Sequence, residues 1–481
     1  MSHIMTIGKK VLGSIVRAYS SEKVLKIEWA FLGIISVTSF FIFHYYDLDS
    51  LTIWSVYLLD AVYDKNFFEF YKYASQYGLV GCDVFPFIPW AIWNIPIWIA
   101  QRFYHVPIRA DSIYPILWSK LFLVILLFVT ARYAYKIGML LTLDRNRSIW
   151  MGFLTLSSIY SFIGIYYTGQ NCILSIMFSV IAIHALLKGK EWAFLILSAC
   201  SIAAKPFFAF AFIAIILLCE KNILKVFLKL LSGASILILC KVLFWNAPMY
   251  QESMKNSSIE VTLASLFETG INMQFGSASF FAIALIIICY LCYAKNTVAK
   301  SPQRNYFIIY SVTAIYSLLF LFGKATFYRP IYLIPFLPIL LLSNKRTIKI
   351  NLIIEPIVSF LRVVMFCSAY MYMSSSKYIF TTWNMVHTVL AQLFPEVWRL
   401  QRPVMSFEPL INSLLPQFMY TVVNAVIIVG TLLILIINYP GIKVMVPFEN
   451  EKCARWIMWC NAFLFVPFLI GILYNYFNVI R

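Results

Sequence analysis

The sequence predicts an all-α, polytopic membrane protein with about thirteen transmembrane helices, and three observations lead to this class. Hydrophobic residues make up 62% of the 481 residues and charged residues only 12%, with a mean hydropathy of +0.82. Many apolar runs reach the ~20 residues that a helix needs to cross the bilayer core. The runs are continuous rather than alternating, so helices and not a closed barrel would satisfy the backbone in lipid. We expect residues 1–481 to form a single integral membrane domain.

The distribution of basic residues predicts the topology. The net charge of +18 is concentrated in short polar segments, which the positive-inside rule predicts to be cytoplasmic. These segments are residues 9–26, 136–147, 188–190, 221–229, 295–304, 345–349 and 443–455. Because this charge lies in short loops between apolar runs, it indicates contact with membrane lipids and not with nucleic acid.

The first apolar segment, about residues 29–46, is too long for a signal-peptide core, and we interpret it as a retained anchor. The next helix, near 113–135, ends at a cytoplasmic basic cluster, so the apolar stretch 85–100 cannot be a complete crossing. Three prolines in this stretch would break a spanning helix, and three tryptophans suit the membrane interface. Residues 47–112 are therefore predicted to form the first extracytoplasmic loop, with interfacial helices at 85–100 and 52–63.

The rest of the chain is predicted to cross the membrane repeatedly. Helices are expected near residues 148–167, 172–187, 192–204, 206–218, 223–244, 277–294, 306–322, 330–343, 353–373, 411–438 and 456–476. Residues 245–276 and 374–410 are predicted to be further outer loops. There is no internal repeat at a fixed period, which disfavours a transporter built from inverted repeats.

Acidic residues are concentrated in the first predicted outer loop, although the chain as a whole is strongly basic. Residues 47–83 of this loop contain two lysines and six acidic residues, namely Asp47, Asp49, Asp60, Asp64, Glu69 and Asp83. Carboxylates beside a bilayer are costly and usually serve chemistry or bind cations. A catalytic base is therefore expected in this loop, whereas Asp60 and Asp64, about one helical turn apart, are interpreted as a solvated helix face.

Three cations break the topological pattern. Lys205, Lys324 and Arg329 are predicted to lie at the outer side or within the bundle, where positive charge is otherwise scarce. One interpretation is snorkelling to the interface or internal salt bridges. The other is a phosphate site, because Arg offers bidentate geometry and Lys a mobile point charge.

The order of several motifs resembles a known family. These motifs are residues 49–54 and 59–63 after the first helix, the Pro/Trp-rich stretch 85–98, Gly169-Gln170-Asn171, Ala203-Ala204-Lys205-Pro206, and residues 328–338 with Tyr328-Arg329-Pro330. In this order they are similar to the GT-C superfamily of membrane glycosyltransferases, closest to the type that uses polyprenol-phosphate-mannose. The resemblance covers the first half of the chain well and the second half loosely.

The resemblance implies transfer of a sugar, such as mannose or another hexose or pentose, from a polyprenyl-phosphate donor to a hydroxyl of a glycan or glycolipid. The reaction would take place at the extracytoplasmic face of the cytoplasmic membrane, with inversion at the anomeric carbon. A carboxylate must take the acceptor's proton. Asp49 is the first choice for this base, and Asp47 and Asp83 are the alternatives.

The same resemblance implies the remaining roles. The departing phosphate would be held by Lys205, Lys324 and Arg329, because its charge develops in the transition state. Substrate contacts are expected from Gln170, Asn171 and Tyr328 in the resembling motifs. A contact with the acceptor sugar is also expected from His387, because it lies between Trp383 and Trp398 in a predicted outer loop. The sequence identifies no definite cofactor. A divalent cation (Mg or Mn) held by Asp49 and Asp83 remains an alternative, although the spacing of these residues gives no metal signature.

Two other classes of protein remain as alternatives. A polysaccharide polymerase or ligase would concentrate basic residues in its large outer loops, but residues 245–276 contain only Lys255. A transporter of lipid-linked sugars would have charged residues along a path at the membrane midplane, and it would consist of two pseudo-symmetric halves. The sequence shows neither pattern, so glycosyl transfer is the preferred hypothesis.

Overall fold

The computed structural model describes residues 23–43, 46–105, 113–142, 144–255, 257–274, 276–296, 301–323, 328–343, 346–373, 417–440, 451–466 and 468. Apart from one two-stranded antiparallel hairpin, the secondary structure of these residues is helical, which confirms the predicted all-α class. Lys324, His387 and the predicted outer loop at 374–410 lie outside the described residues.

The first half of the chain forms a series of helices, some of them very short. They are α1 (Lys26–Ile42), α2 (Tyr46–Tyr63), α3 (Phe70–Ser75), α4 (Phe87–Trp93), α5 (Ile95–Tyr104), α6 (Ile113–Thr142), α7 (Arg145–Ser157), α8 (Ile159–Tyr167), α9 (Cys172–Leu187), α10 (Glu191–Ala204), α11 (Phe208–Cys219) and α12 (Ile223–Phe244). Helix α8 is a π-helix from Phe162 onward. A single 3₁₀ turn, Phe67–Glu69, precedes α3.

The second half continues in the same way. It contains α13 (Tyr250–Lys255), α14 (Ser258–Glu268), the strands β1 (Gly270–Met273) and β2 (Gly276–Ser279), α15 (Phe280–Ala294), α16 (Pro302–Phe322), a 3₁₀ helix (Arg329–Leu333), α17 (Leu337–Leu342), α18 (Ile348–Met373), α19 (Gln417–Ile437) and α20 (Glu451–Leu464). The predicted outer loop at 245–276 thus holds two short helices and the first strand of the hairpin.

Several helices are compatible with a multi-pass membrane protein. Among the described residues, α12, α16, α19 and the Tyr114–Leu141 part of α6 are long and apolar enough to cross a bilayer. Helices α7 and α8, bent by 41° at their junction, make a fifth span if they are counted as one. Helices α9, α10, α11 and α15 are apolar but shorter. The predicted number of about thirteen spans is therefore not confirmed, because many apolar runs form helices below the ~20-residue length.

The Pro/Trp-rich stretch is broken into two helices. The helix is interrupted at Asn94 between α4 and α5, which have 7 and 10 residues, so neither is long enough to span a membrane alone. Pro96 stands in the first turn of α5, the one place in a helix where its missing N–H costs nothing. The Asn94 side chain donates to Ser55 Oγ of α2 at 2.7 Å, which fixes the break against the neighbouring helix.

Helix α2 begins earlier than the sequence indicated. The predicted interfacial helix covered residues 52–63, whereas the helix runs from Tyr46 to Tyr63. Asp47 and Asp49 therefore lie in the first turn of a helix and not in an extended loop. Carboxylates are favourable there because the helix dipole leaves partial positive charge at the N-terminus.

Lys120 of α6 fixes the end of α1 just before this helix. Its ammonium group donates to the backbone carbonyls of Ser39 at 2.9 Å and Phe40 at 2.8 Å, and also to the carbonyl of Phe43. The Lys120 side chain is only 1% exposed, so its ammonium group, and not water, is the hydrogen-bond donor to these carbonyls. Lys120 thereby satisfies the last carbonyls of α1 and holds the connection that leads to Asp47.

A buried ion pair fixes the other end of α1. Arg455 Nε of α20 donates to Glu28 Oε1 at 2.6 Å, and both side chains are 1% exposed. Glu28 Oε2 also accepts from the backbone N–H of Leu25 at 2.7 Å. Such a pair stabilises little in net terms, yet removing one partner leaves the other charged and buried. The pair therefore fixes the position of α1 against α20.

We predict that Lys120→Met destabilises the protein strongly, because methionine fills a similar volume but removes the donor that Lys120 gives to the carbonyls of Phe40 and Phe43, whereas the Ser39 carbonyl keeps its bond from the Phe43 N–H. Each such loss costs about 1–3 kcal/mol, partly offset by no longer burying an ammonium group. The unfolding midpoint in detergent should fall clearly. The matched control is Lys72→Met, which removes only an exposed ion pair with Glu69 worth less than about 1 kcal/mol. Equal midpoints for the two variants would contradict this role of Lys120.

Candidate functional site

A hydrogen bond joins two of the predicted site residues. Gln170 Nε2 donates to Asp47 Oδ2 at 2.6 Å, across 123 residues of sequence. The same amide group donates to the carbonyl of Thr168 at 3.2 Å, so its orientation is fixed. The contact joins the first turn of α2 to the turn between α8 and α9.

This turn depends on Gly169. Gly169 has φ +59°, a conformation that glycine adopts without steric cost. A Cβ at this position would lie 3.0 Å from Cβ of Leu48, so the turn packs directly on the first turn of α2. The backbone N–H of Gln170 donates to the carbonyl of Gly164 at 2.8 Å, which anchors the turn to α8. The close approach places the Gln170 side chain beside Asp47.

Lys205 lies at the turn between α10 and α11. Its backbone is extended, as expected of a residue before proline, and the helix ends at Ala204. Ser175 and Ser201 exchange hydrogen bonds of 2.9 and 2.8 Å between their hydroxyl and carbonyl groups, which fixes α9 against α10. The positive charge of Lys205 acts on Asp47 and lowers the pKa of its carboxyl group. The lysine predicted to bind phosphate is therefore an electrostatic neighbour of this carboxylate.

Asp49 lies close to the same group. It is buried, and its negative charge raises the pKa of Asp47. Its charge also acts on the hydroxyl of Tyr77, whose pKa is raised mainly by burial. Tyr77 is hydrogen-bonded to Ser50, so the segment after α3 covers this part of α2. Tyr77 was not singled out from the sequence, because nothing local connects it with the acidic residues.

The pKa of Asp47 is shifted toward neutrality. Burial is the largest cause, the charge of Asp49 adds to it, and the Gln170 hydrogen bond and the charge of Lys205 oppose it. The result is a rise from 3.8 to about 6. A carboxyl group with such a pKa both accepts and releases a proton near neutral pH, which is the requirement for a general base.

Asp83 is engaged elsewhere. The hydroxyl of Tyr250 donates to its Oδ1 at 2.8 Å, and Lys241 Nζ of α12 lies 3.9 Å from its Oδ2. Burial raises the pKa of Asp83, while these two partners lower it. Asp83 therefore attaches the segment between α3 and α4 to α12 and α13.

Arg329 flanks the Lys205 turn from another side. Its side chain is 4% exposed, and its guanidinium group lies 5.2 Å from the ring centroid of Phe207, two residues after Lys205. Its Nη1 donates to Thr262 Oγ1 of α14. Tyr328, which precedes it, is partly buried. Arg329 is thus close to the turn that carries Lys205, but its described contacts do not include Asp47.

Asn171 has a structural contact. Its Oδ1 accepts a hydrogen bond of 2.8 Å from the indole N–H of Trp90 in α4, and both residues are buried. This bond attaches the Pro/Trp-rich segment to the turn before α9. The sequence predicted that Trp90 lies at the membrane interface, whereas its side chain is buried and makes this hydrogen bond.

The described residues contain no group of three or more His, Cys, Asp or Glu side chains that could hold a metal ion. Lys324 and His387 belong to segments that the structure does not describe. Of the ten residues predicted for the site, the structure brings together Asp47, Asp49, Gln170 and Lys205.

Comparisons with models of protein families, with curated proteins and with solved structures found no match to this chain. Any functional conclusion therefore depends on the arrangement around Asp47. The arrangement combines a carboxyl group of raised pKa, an amide that orients it and a nearby ammonium group.

We predict that Asp47→Asn makes the folded protein more stable above pH 6. The folded-state pKa of Asp47 lies above its ordinary 3.8, so the folded protein holds the proton more tightly and loses stability as pH rises from about 4 to about 6. Asparagine removes this cost, up to about 3 kcal/mol, and still accepts from Gln170. Unfolding midpoints of both proteins should differ at pH 8 and converge at pH 4.

The control for this measurement is Asp64→Asn at the opposite end of α2. Asp64 forms an ion pair of 3.1 Å with Arg102, so its neutralisation should leave the midpoint unchanged or lower it. A midpoint of Asp47→Asn that falls below the wild-type value at pH 8 would show that the charge of Asp47 stabilises the fold, contrary to this account.

Proposed function

We propose that the chain is a membrane glycosyltransferase that moves a sugar from a polyprenyl-phosphate donor to a hydroxyl of a glycan or glycolipid. The observation that carries the proposal is the juxtaposition of Asp47, with a pKa of about 6, and Lys205. Glycosyl transfer from a lipid phosphate needs these two groups, a proton acceptor and a cation for the departing phosphate.

In the proposed reaction, Asp47 acts on the attacking hydroxyl and Lys205 acts on the departing phosphate. The acceptor hydroxyl gives its proton to the Asp47 carboxylate, and its oxygen forms a bond to the anomeric carbon of the sugar. The bond between that carbon and the phosphate oxygen breaks, and its electron pair leaves with polyprenyl phosphate. A single displacement of this kind inverts the configuration at the anomeric carbon. General-base catalysis contributes about 10²–10⁴-fold to the rate of such a step.

The assignment of the base to Asp47 differs from the first choice made from the sequence, which was Asp49. Asp47 is preferred because Gln170 orients its carboxyl group at 2.6 Å and Lys205 acts on its charge. Asp49 contributes by raising the pKa of Asp47, which keeps the base near the pH at which it works. Gln170 positions the base and is not itself a proton acceptor.

Lys205 is proposed to hold the donor phosphate, since its ammonium group is a compact charge on a flexible stem. Arg329, which lies against the ring of Phe207, is proposed to bind the same phosphate. To do so, its guanidinium group would exchange its hydrogen bond to Thr262 for one to the phosphate. Lys324 and His387 keep the donor-phosphate and acceptor-contact roles expected from the sequence, and Tyr328 keeps that of a substrate contact. A divalent cation between Asp49 and Asp83 would require Asp83 to give up Tyr250 or Lys241.

The proposed reaction also implies a position of the protein in the cell. The protein would be a multi-pass protein of the cytoplasmic membrane, with Asp47 and Lys205 at the extracytoplasmic side. The support is the positive-inside rule, because Gln170 and Lys205 belong to turns opposite the basic segments at 188–190 and 221–229. In this orientation the lipid phosphate of the donor lies at the interface and its sugar reaches Asp47.

We predict that Asp47→Asn lowers sugar transfer by about 10²–10⁴-fold, because asparagine keeps the hydrogen bond from Gln170 but cannot accept a proton. The measurement is transfer of labelled sugar by the purified protein from a panel of polyprenyl-phosphate sugars to membrane glycolipids. Asp64→Asn, directly after the last residue of α2 and about 26 Å away at ~1.5 Å per residue, is the matched control and should retain activity.

Two results of this assay would contradict the proposal. An Asp47→Asn variant as active as the control would show that another group is the base. A wild-type protein that transfers no sugar, but moves the intact lipid-linked sugar across reconstituted vesicles, would show that the chain is a transporter.

A further inference from the structure

A second polar site lies at the far end of α9 from Gln170. His184, near the end of this helix, is buried, and its ring stands edge-on to Tyr133 of α6 with centroids 5.2 Å apart. Its Nε2 is buried and has no hydrogen-bond partner among the described residues. A buried ring nitrogen without a partner is costly, so a group that could satisfy it is expected nearby. About 20 Å of helix separates His184 from the turn beside Asp47.

Three lysines surround this histidine. Lys136 Nζ lies 4.1 Å from the centroid of the same Tyr133 ring, and Lys188 follows His184 by one helical turn. Lys190 completes the turn between α9 and α10. All three positive charges act electrostatically on His184. The two helices and the turn thus concentrate three cations around one buried imidazole.

No carboxylate neutralises these lysines in the part of the chain that the structure describes. The nearest acidic residue in sequence, Glu191, is paired with Lys229 of α12, and Lys229 also contacts Glu220 at 3.0 Å. Lys188 and Lys190 are exposed, whereas Lys136 is partly buried against the tyrosine ring. Three like charges without counter-charges repel one another and attract an anion.

The surroundings of the three lysines are those of a membrane interface. Trp192, two residues after Lys190, is 79% exposed, and Ile196 lies one turn further along α10 with 61% exposed. Tryptophan at such a position is typical of the headgroup level of a bilayer. An anion bound by these lysines would therefore have apolar surface of α10 beside it, where acyl chains can pack.

We propose that Lys136, Lys188 and Lys190 form a binding site for the headgroup phosphate of an anionic phospholipid. The phosphate oxygens accept hydrogen bonds from the three ammonium groups. One phosphate oxygen also gives His184 Nε2 the hydrogen-bond partner that it lacks, either directly or through one water. The acyl chains lie against Trp192 and Ile196. This site is at the end of the bundle that the positive-inside rule predicts to be cytoplasmic, and it does not depend on the proposed glycosyl transfer.

The test is the thermal midpoint of the full-length protein in nanodiscs of phosphatidylcholine with increasing fractions of phosphatidylglycerol. Wild type should be stabilised, with half of the effect at a low fraction of the anionic lipid. The double variant Lys188→Met/Lys190→Met should require a roughly 10- to 30-fold higher fraction, because each lysine near the surface contributes to anion attraction. Lys225→Met/Lys349→Met, which changes two other exposed lysines, is the matched control and should behave as wild type.

The outcomes separate the alternatives. Equal responses of the two double variants would overturn the site and indicate attraction to the whole basic surface. Stabilisation of wild type by inorganic phosphate in detergent, as strong as that by phosphatidylglycerol, would overturn the lipid assignment in favour of a soluble anion. In pure phosphatidylcholine all three proteins should unfold at the same temperature, and a lower midpoint of Lys188→Met/Lys190→Met there would instead indicate a purely structural role.

Discussion

The arrangement of the candidate site depends on one hydrogen bond, from Gln170 to Asp47. This bond joins segments that are 123 residues apart, and Gly169 favours it by letting the turn before α9 pack against Leu48. Two further contacts hold the participants in place. Lys120 fixes the end of α1 before Asp47, and Trp90 binds Asn171 next to Gln170. Each of these contacts positions backbone around the carboxyl group of Asp47.

The pKa of Asp47 results from opposing influences, of which burial is the largest. Burial and the charge of Asp49 favour the protonated form, while Gln170 and Lys205 favour the carboxylate. The influences that raise the pKa outweigh those that lower it, and the pKa lies near 6. A group balanced in this way changes its proton occupancy when a substrate alters its surroundings. A phosphate bound at Lys205 would weaken the influence of that cation on Asp47 and make the carboxyl group a stronger base.

Local features of the sequence predicted much of the fold but less of the site. The break near Asn94 and the turn at Lys205 and Pro206 were predictable, because proline acts on its immediate neighbours. The start of α2 at Tyr46 was not, since its first turn carries acidic residues that resemble a loop. Contacts between residues far apart in sequence could not be predicted from local sequence patterns. Examples are the bonds from Lys120 to the end of α1 and the bond from Tyr250 to Asp83. The number of spans is not confirmed, because three of the apolar runs form helices of only 12 to 16 residues.

The pH dependence of kcat/KM for sugar transfer tests the central claim most directly, with wild type compared with Gln170→Ala. A base with a pKa of about 6 predicts that kcat/KM rises through this pH and then levels off. Loss of the Gln170 amide removes an interaction that favours the carboxylate, so the inflection should move to higher pH. A profile without an inflection near pH 6, or the same inflection in both proteins, would contradict the assignment of Asp47 as a base held by Gln170.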